Sequence, residues 1–301
     1  MQDSPRNKVV IIGAGTIGST YAYTLMLTGT AYELVFIDVN RELAEGNVMD
    51  LQHGAYFVPP VNIRAGDYSD CADADIVLIA AGSKQRPGQT RLELASTNSY
   101  LVRDIVRQIT RYTSDAILLV VTNPVDVMTW VALKESGYRK ERVIGSGTLL
   151  DSARLRYFLS DECGVDARNI HGQVIGEHGD TEVIAWSLTH IAGVDVDSFR
   201  DQCKPGTGQE SHQSALAAKV KDSAYHVIES KGFTNYAVSL ALQRITTSIL
   251  RDERSVLTVS TYLEGEYGLE DVCLSVPVLV GRHGAERVIV ADLAQIGRAH
   301  V

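Results

Sequence analysis

His178 sits in I-G-E-H-G-D-T-E, with Gly176 and Gly179 on either side of it. Those glycines free a loop to present an imidazole, whose pKa near neutrality suits proton donation and acceptance. Upstream, L-L-D-S-A-R-L-R carries Asp151 and Arg154 three residues apart. On a helix that spacing puts both on one face. A carboxylate there can orient and charge-stabilise His178, and a guanidinium there can grip a substrate carboxylate through two parallel hydrogen bonds. A surface ion pair is the blander reading of the same two residues.

A second constellation is made of glycine. Gly13, Gly15 and Gly18, with Thr16 and Ile17 between the last two, spell G-A-G-T-I-G after a β-branched run. Gly13 permits a tight turn, Gly15 lets the backbone approach a pyrophosphate, and Gly18 lets the following helix pack close to a sheet. The helix N-terminus then offers free N–H groups to the phosphates. Asp38 ends the next apolar run, placed to accept hydrogen bonds from a ribose and to repel a 2′-phosphate. NAD is therefore favoured over NADP, although Arg41 nearby could meet a phosphate. Together the two constellations point to hydride transfer at a carbonyl: a cofactor face presented, a proton delivered to the alkoxide, and the substrate held.

These residues need elements to position them. Lys8–Ile12, Glu33–Val39, Ile76–Ala80, Ala116–Val121 and Arg142–Ile144 read as buried strands. Between them, Thr16–Leu27, Arg41–Leu51, Leu92–Tyr112 and Val125–Ser136 have helical patterning. Apolar strands alternating with helices imply a parallel sheet covered on both faces, a Rossmann doubly wound α/β fold. The second half differs. Asp151–Glu162, Ser211–Ser230 and Tyr236–Arg251 read as helices, Gln173–Ile175 and Val183–Ser187 as strands. Ser255–Tyr262 and Asp271–Val280 read as antiparallel strands around a turn at Glu264–Leu269. Two domains follow, 1–146 for the cofactor and an α+β substrate-binding domain at 147–301.

Composition narrows the function class. The chain has 301 residues, and its net charge of −9 argues against non-specific nucleic-acid binding. The longest apolar runs fall far short of the ~20 residues needed to span a bilayer, and the polar N-terminus is no signal peptide. A cytoplasmic protein is expected. The four cysteines form no C-x-x-C pair, so no metal site is expected.

Four motifs in order resemble the L-lactate/L-malate dehydrogenase family: G-A-G-T-I-G with Asp38, A-G-S-K-Q-R-P-G-Q-T-R at 81–91, V-T-N-P at 121–124, and D-S-A-R followed by G-E-H-G-D. The resemblance runs from Lys8 to about Asp292. It implies His178 as proton donor and acceptor, Asp151 as its partner, and Arg154 as the carboxylate clamp. It implies Arg91 on a mobile loop polarising the carbonyl, and Asn123 beside the nicotinamide and that oxygen. Thr234 would line the pocket for the small side chain. Ala81, Gly82, Asn98 and Thr122 join the cofactor-binding residues on the same grounds. Gln85 stands where malate dehydrogenases of the family carry Arg, which implies pyruvate and L-lactate as substrates. Arg86, one place on, keeps oxaloacetate as the alternative, beside a bulkier 2-oxo acid.

Arg156 lies two residues beyond Arg154, nearly opposite on a helix, and His171 lies seven before His178. They resemble the pair with which bacterial family members bind fructose 1,6-bisphosphate across a two-fold interface. The resemblance thus implies a homo-oligomer, a tetramer in many relatives. Two departures stand out. Gln89 replaces the usual Glu of the mobile loop. After Val288–Leu293 the chain reads A-Q-I-G-R-A-H-V where relatives usually continue into a longer helix, which weakens the expectation of full loop closure. A nucleotide-binding protein without catalysis is the rival of a different class. It would have no need of Arg91, Asp151, Arg154 and His178 together.

Overall fold

The computed structural model describes residues 7–83, 91–203 and 209–291. In chain order the elements are β1 (Lys8–Ile12), α1 (Thr16–Thr28), β2 (Glu33–Ile37), α2 (Arg41–Gly54), β3 (Asn62–Ala65), β4 (Ile76–Ile79), α3 (Arg91–Ile109), β5 (Ile117–Val120), α4 (Val125–Ser136), β6 (Val143–Gly145) and α5 (Leu149–Cys163). Then come β7 (Ile170–His171), β8 (Val174–Ile175), β9 (Val183–Ile184), β10 (His190–Ile191), β11 (Val194–Asp195), α6 (Val196–Cys203), α7 (Gln209–Lys231), α8 (Tyr236–Leu250), β12 (Ser255–Glu264), β13 (Glu270–Gly281) and β14 (Gly284–Val288).

The first six strands are parallel, in the order β3-β2-β1-β4-β5-β6. That is the doubly wound order, which reverses between β1 and β4. Its apolar strands serve two cores at once because successive side chains point to opposite faces. Val9, Ile11, Leu34 and Phe36 enter one core, while Val10, Ile12, Val35 and Ile37 enter the other. An uninterrupted apolar run is thus what a strand covered on both faces requires.

The antiparallel strands expected in the second half are present, and they extend the first sheet. β12 pairs with β6 at Ser260–Gly145, and β13 and β14 follow, making nine strands in one sheet among the described residues. A third core lies outside that sheet. There Leu155 and Leu159 of α5 meet Ile170, Val174, Ile191 and Leu216. Six of these elements escape the sequence reading, among them the two-residue strands β7, β10 and β11. β3 is a polar edge strand, N-I-R-A. β14 carries Glu286 and Arg287. α6 has only eight residues.

Candidate active site

Crowding accounts for two of the three glycines. A Cβ on Gly13, whose φ is +110°, would stand 2.6 Å from the Ala81 nitrogen, and one on Gly18 would stand 2.0 Å from the Gly13 carbonyl oxygen. A Cβ on Gly15 would meet nothing within 4 Å. The backbone at the start of α1 therefore borders open space, as close approach of a pyrophosphate needs. Thr16 and Ile17 begin that helix half-buried, and Ile17 packs on the core.

Asp38 braces this turn. Its Oδ2 accepts from the Ala14 N–H at 2.7 Å and its Oδ1 from the Asn40 N–H at 2.8 Å. A carboxylate has about four acceptor positions, so ribose hydroxyls still find lone pairs there. Arg41, the residue that could have favoured a 2′-phosphate, pairs with Glu45 at 2.7 Å. On the other side of the switch point, Thr122 donates to the Ala81 carbonyl at 2.7 Å. Buried Asn98 accepts from the Ser83 N–H at 2.8 Å and donates to the Asn123 carbonyl at 2.8 Å. Asn98 so ties the loops after β4 and β5 into one rim, with Gly82 against Thr122 and exposed Asn123 at its edge.

The His178–Asp151–Arg154 set assembles from α5 and the loop after β8. Asp151 opens α5 and is 2 % exposed, which removes the surface-pair reading. Its Oδ2 lies 2.7 Å from His178 Nδ1, and its Oδ1 accepts from the Arg154 guanidinium at 2.7 Å. Hydrogen bonds hold the start of α5 in place. Ser152 Oγ accepts from the Val174 N–H at 2.9 Å, and it lies 3.0 Å from Thr258 Oγ1. The His178 loop is anchored twice. Gly176 exchanges backbone hydrogen bonds with Ser275 of β13, at 2.8 and 2.9 Å. Asp126 Oδ2 of α4 accepts from the His178 N–H at 2.8 Å.

Electrostatics follow from this packing. Burial works against a charged His178 ring, but the hydrogen bond and charge of Asp151, with Asp126 and Glu182 behind it, win and hold its pKa above the ordinary value. Burial pushes the Asp151 carboxyl up, yet His178 and Arg154 outweigh that and hold it below the usual carboxylate range. Burial prevails at Asp126, whose pKa is raised. It also prevails at Glu182, pushed up to about 8 by burial and by the charge of Asp151. Asp151, His178 and Glu182 bring three donor atoms within 4.8 Å of one another. A cation bound there would have to compete with Arg154 for Asp151.

Asp126 and Glu182 were not singled out from the sequence. The signal for Asp126 was a carboxylate on the apolar face of α4, among Val125, Met128 and Ala132. Arg154 also lines a groove of about 710 Å³ between α5 and α7, with Phe158, Lys219, Asp222 and His226. Thr234 lies half-buried in the link between α7 and α8, next to Asn235, whose amide donates to Thr20 of α1 at 2.8 Å. Arg156 turns away from this site, its Nε donating to the Gly172 carbonyl at 3.1 Å. His171, the neighbour of Gly172, is exposed on β7, opposite His190 of β10. Arg91 is the first residue of α3. Gln85, Arg86, Gln89 and the segment 292–301 lie outside the described residues.

Residues 7–145 match the NAD-binding domain of lactate/malate dehydrogenase, and residues 148–297 match that enzyme's α/β C-terminal domain. An L-lactate dehydrogenase of Acetivibrio thermocellus is 54 % identical over 282 residues, 94 % of this chain and 89 % of the relative. One from Treponema denticola is 50 % identical over 291 residues, 97 % of this chain and 92 % of the relative. The crystal structure of the minor L-lactate dehydrogenase of Enterococcus mundtii superposes with a TM-score of 0.95 at 40 % identity, covering 99 % of this chain and 94 % of that one. With both domain models matched in order along nearly its whole length, the chain belongs to the lactate/malate dehydrogenase family and carries its NAD-binding domain.

Proposed function

We propose that this protein is an L-lactate dehydrogenase, interconverting pyruvate and L-lactate with NAD. The observation that carries the reading is the shared carboxylate of Asp151, which accepts from the His178 ring and from Arg154 at 2.7 Å each. An ionised carboxylate only accepts, so His178 Nδ1 carries a proton and Nε2 is the nitrogen left to face a substrate. In pyruvate reduction, Nε2–H of the imidazolium donates to the carbonyl oxygen, and Asp151 stabilises the charge before transfer. In lactate oxidation, neutral Nε2 takes the hydroxyl proton. NAD supplies the hydride acceptor for oxidation and, when reduced, the donor for reduction. Gly13, Gly15, Thr16, Ile17, Gly18, Asp38, Ala81, Gly82, Asn98, Thr122 and Asn123 would hold it. Arg154 would grip the substrate carboxylate, Arg91 would polarise the carbonyl, and Thr234 would line the side-chain pocket. The cofactor domain is 1–146 and the substrate domain 147–301.

Gln85 supports pyruvate over oxaloacetate, because a second carboxylate facing a neutral amide in a closed site stays unpaired, a penalty on the order of 2–5 kcal/mol. The relatives named L-lactate dehydrogenase point the same way. Fructose 1,6-bisphosphate is the proposed activator. What supports it is Arg156, whose Nε donates to the carbonyl of Gly172, the residue after His171, in an acidic protein. A homo-oligomer, a tetramer by family resemblance, and a cytoplasmic location complete the proposal. Among the described residues no helix is long and apolar enough to cross a membrane.

NADH oxidation with pyruvate and with oxaloacetate tests the substrate. We expect kcat/KM for pyruvate to exceed that for oxaloacetate by about 30-fold or more, as 2–5 kcal/mol implies. A preference for oxaloacetate would overturn the assignment.

A further inference from the structure

Glu182 has no part in the chemistry above, yet it stands beside it. It directly precedes β9, is 6 % exposed, and its carboxylate lies within 4.8 Å of donor atoms of both Asp151 and His178. Its Oε1 has no hydrogen-bond partner among the described residues. A buried carboxylate oxygen without a donor is badly placed to carry charge. Charged groups act on it from three sides: Asp151 and Arg154 from α5, Lys221 from α7, and His178 from its own loop. Lys221 is itself occupied, donating to the Asp180 carbonyl at 2.9 Å. Asp126 of α4 adds negative charge at His178.

On the reading proposed above, the substrate brings one more carboxylate to Arg154. Asp151 and the substrate then already set two anions against Arg154 whichever charge His178 carries, and Asp126 adds to them. An ionised Glu182 would add a further anion at 6 % exposure, with the Lys221 ammonium hydrogen-bonded to the Asp180 carbonyl and no donor on Oε1 among the described residues, which buried surroundings penalise. We propose that Glu182 is a positioning residue for the substrate anion: its carboxylic acid form admits a 2-hydroxy or 2-oxo acid to Arg154, and its carboxylate form excludes it. Burial and the charge of Asp151, which push its pKa up to about 8, place that transition within the working range of the enzyme.

The sign separates Glu182 from His178. L-Lactate needs a neutral His178, so titration of His178 makes the KM for L-lactate fall as pH rises. Ionisation of Glu182 makes it rise. We therefore expect KM for L-lactate to pass through a minimum and then climb by about tenfold per pH unit above the Glu182 transition, one proton per binding event. E182Q should keep the falling limb and lose the rising one. A rising limb that persists in E182Q, or no rising limb in the wild type, overturns the proposal. Should E182Q fail to fold, the wild type still answers. Oxamate, a pyruvate-like anion, is titrated calorimetrically into the enzyme–NADH complex at pH 9 in buffers of different ionisation heat. Proton uptake approaching two per site supports Glu182 as the second acceptor beside His178, and uptake of one or fewer overturns it. Loss of all turnover with pyruvate and lactate in the wild type would instead sink the dehydrogenase reading itself.

Discussion

Asp151 serves two groups with one carboxylate, and its burial makes both bonds matter. An asparagine there can still accept from one neighbour, but its NH₂ would then face the other donor, His178 or Arg154. We expect D151N to lower kcat/KM for pyruvate by on the order of 10²–10⁴-fold, in line with loss of the oriented tautomer. The pH profile supplies the sign. Asp151 is the main force holding the His178 pKa above its ordinary value, and the proposed pyruvate reduction uses the protonated ring. Its removal should therefore move the alkaline limb of kcat/KM to lower pH. An unmoved limb would mean that Asp151 does not set the charge of His178. Helical spacing put Asp151 and Arg154 on one face at this scale, and the family resemblance joined them to His178. Glu182 was not legible, since the sequence G-D-T-E gives no hint that its last residue turns inward.

At the scale of elements, the β1–α1 turn separates two uses of glycine. Gly18 has the Gly13 carbonyl where a Cβ would go, so G18A must push α1 off the sheet. We expect a loss of about 1–3 kcal/mol or more from such overpacking, visible as a lower melting temperature without any cofactor. Gly15 faces open space with φ −69° and ψ −171°, a conformation alanine adopts. G15A should melt close to the wild type while NADH binding, followed by fluorescence, weakens at least tenfold. Equal melting losses in both variants would assign Gly15 a packing role instead. The motif itself was readable in the sequence, but which glycine answers to packing and which to open space depends on where Ala81 and the Gly13 carbonyl lie in three dimensions.

At the scale of the whole molecule, a net charge of −9 sets the background for an anionic effector. Any site for it must be locally positive, and the Arg156–His171 neighbourhood is the proposed place. We expect fructose 1,6-bisphosphate to lower the pyruvate KM of the wild type, H171A to abolish that fall, and added salt to weaken it by screening. An undiminished response in H171A would place the effector elsewhere. The sequence by itself determined the doubly wound half of the molecule, because an apolar β-branched run between amphipathic stretches has few other ways to bury both faces. It also determined the nicotinamide chemistry, because glycine spacing, a strand-end aspartate and the Asp151–Arg154 helix face are local patterns. Only the tertiary structure decided that β12–β14 join the same sheet, where β12 pairs with β6 at Ser260 and Gly145. Only it placed Asp126 of α4 on the backbone of His178 and Glu182 beside Asp151. Those contacts join residues far apart in the chain, and what makes each of them count is burial, which no local pattern of residues encodes.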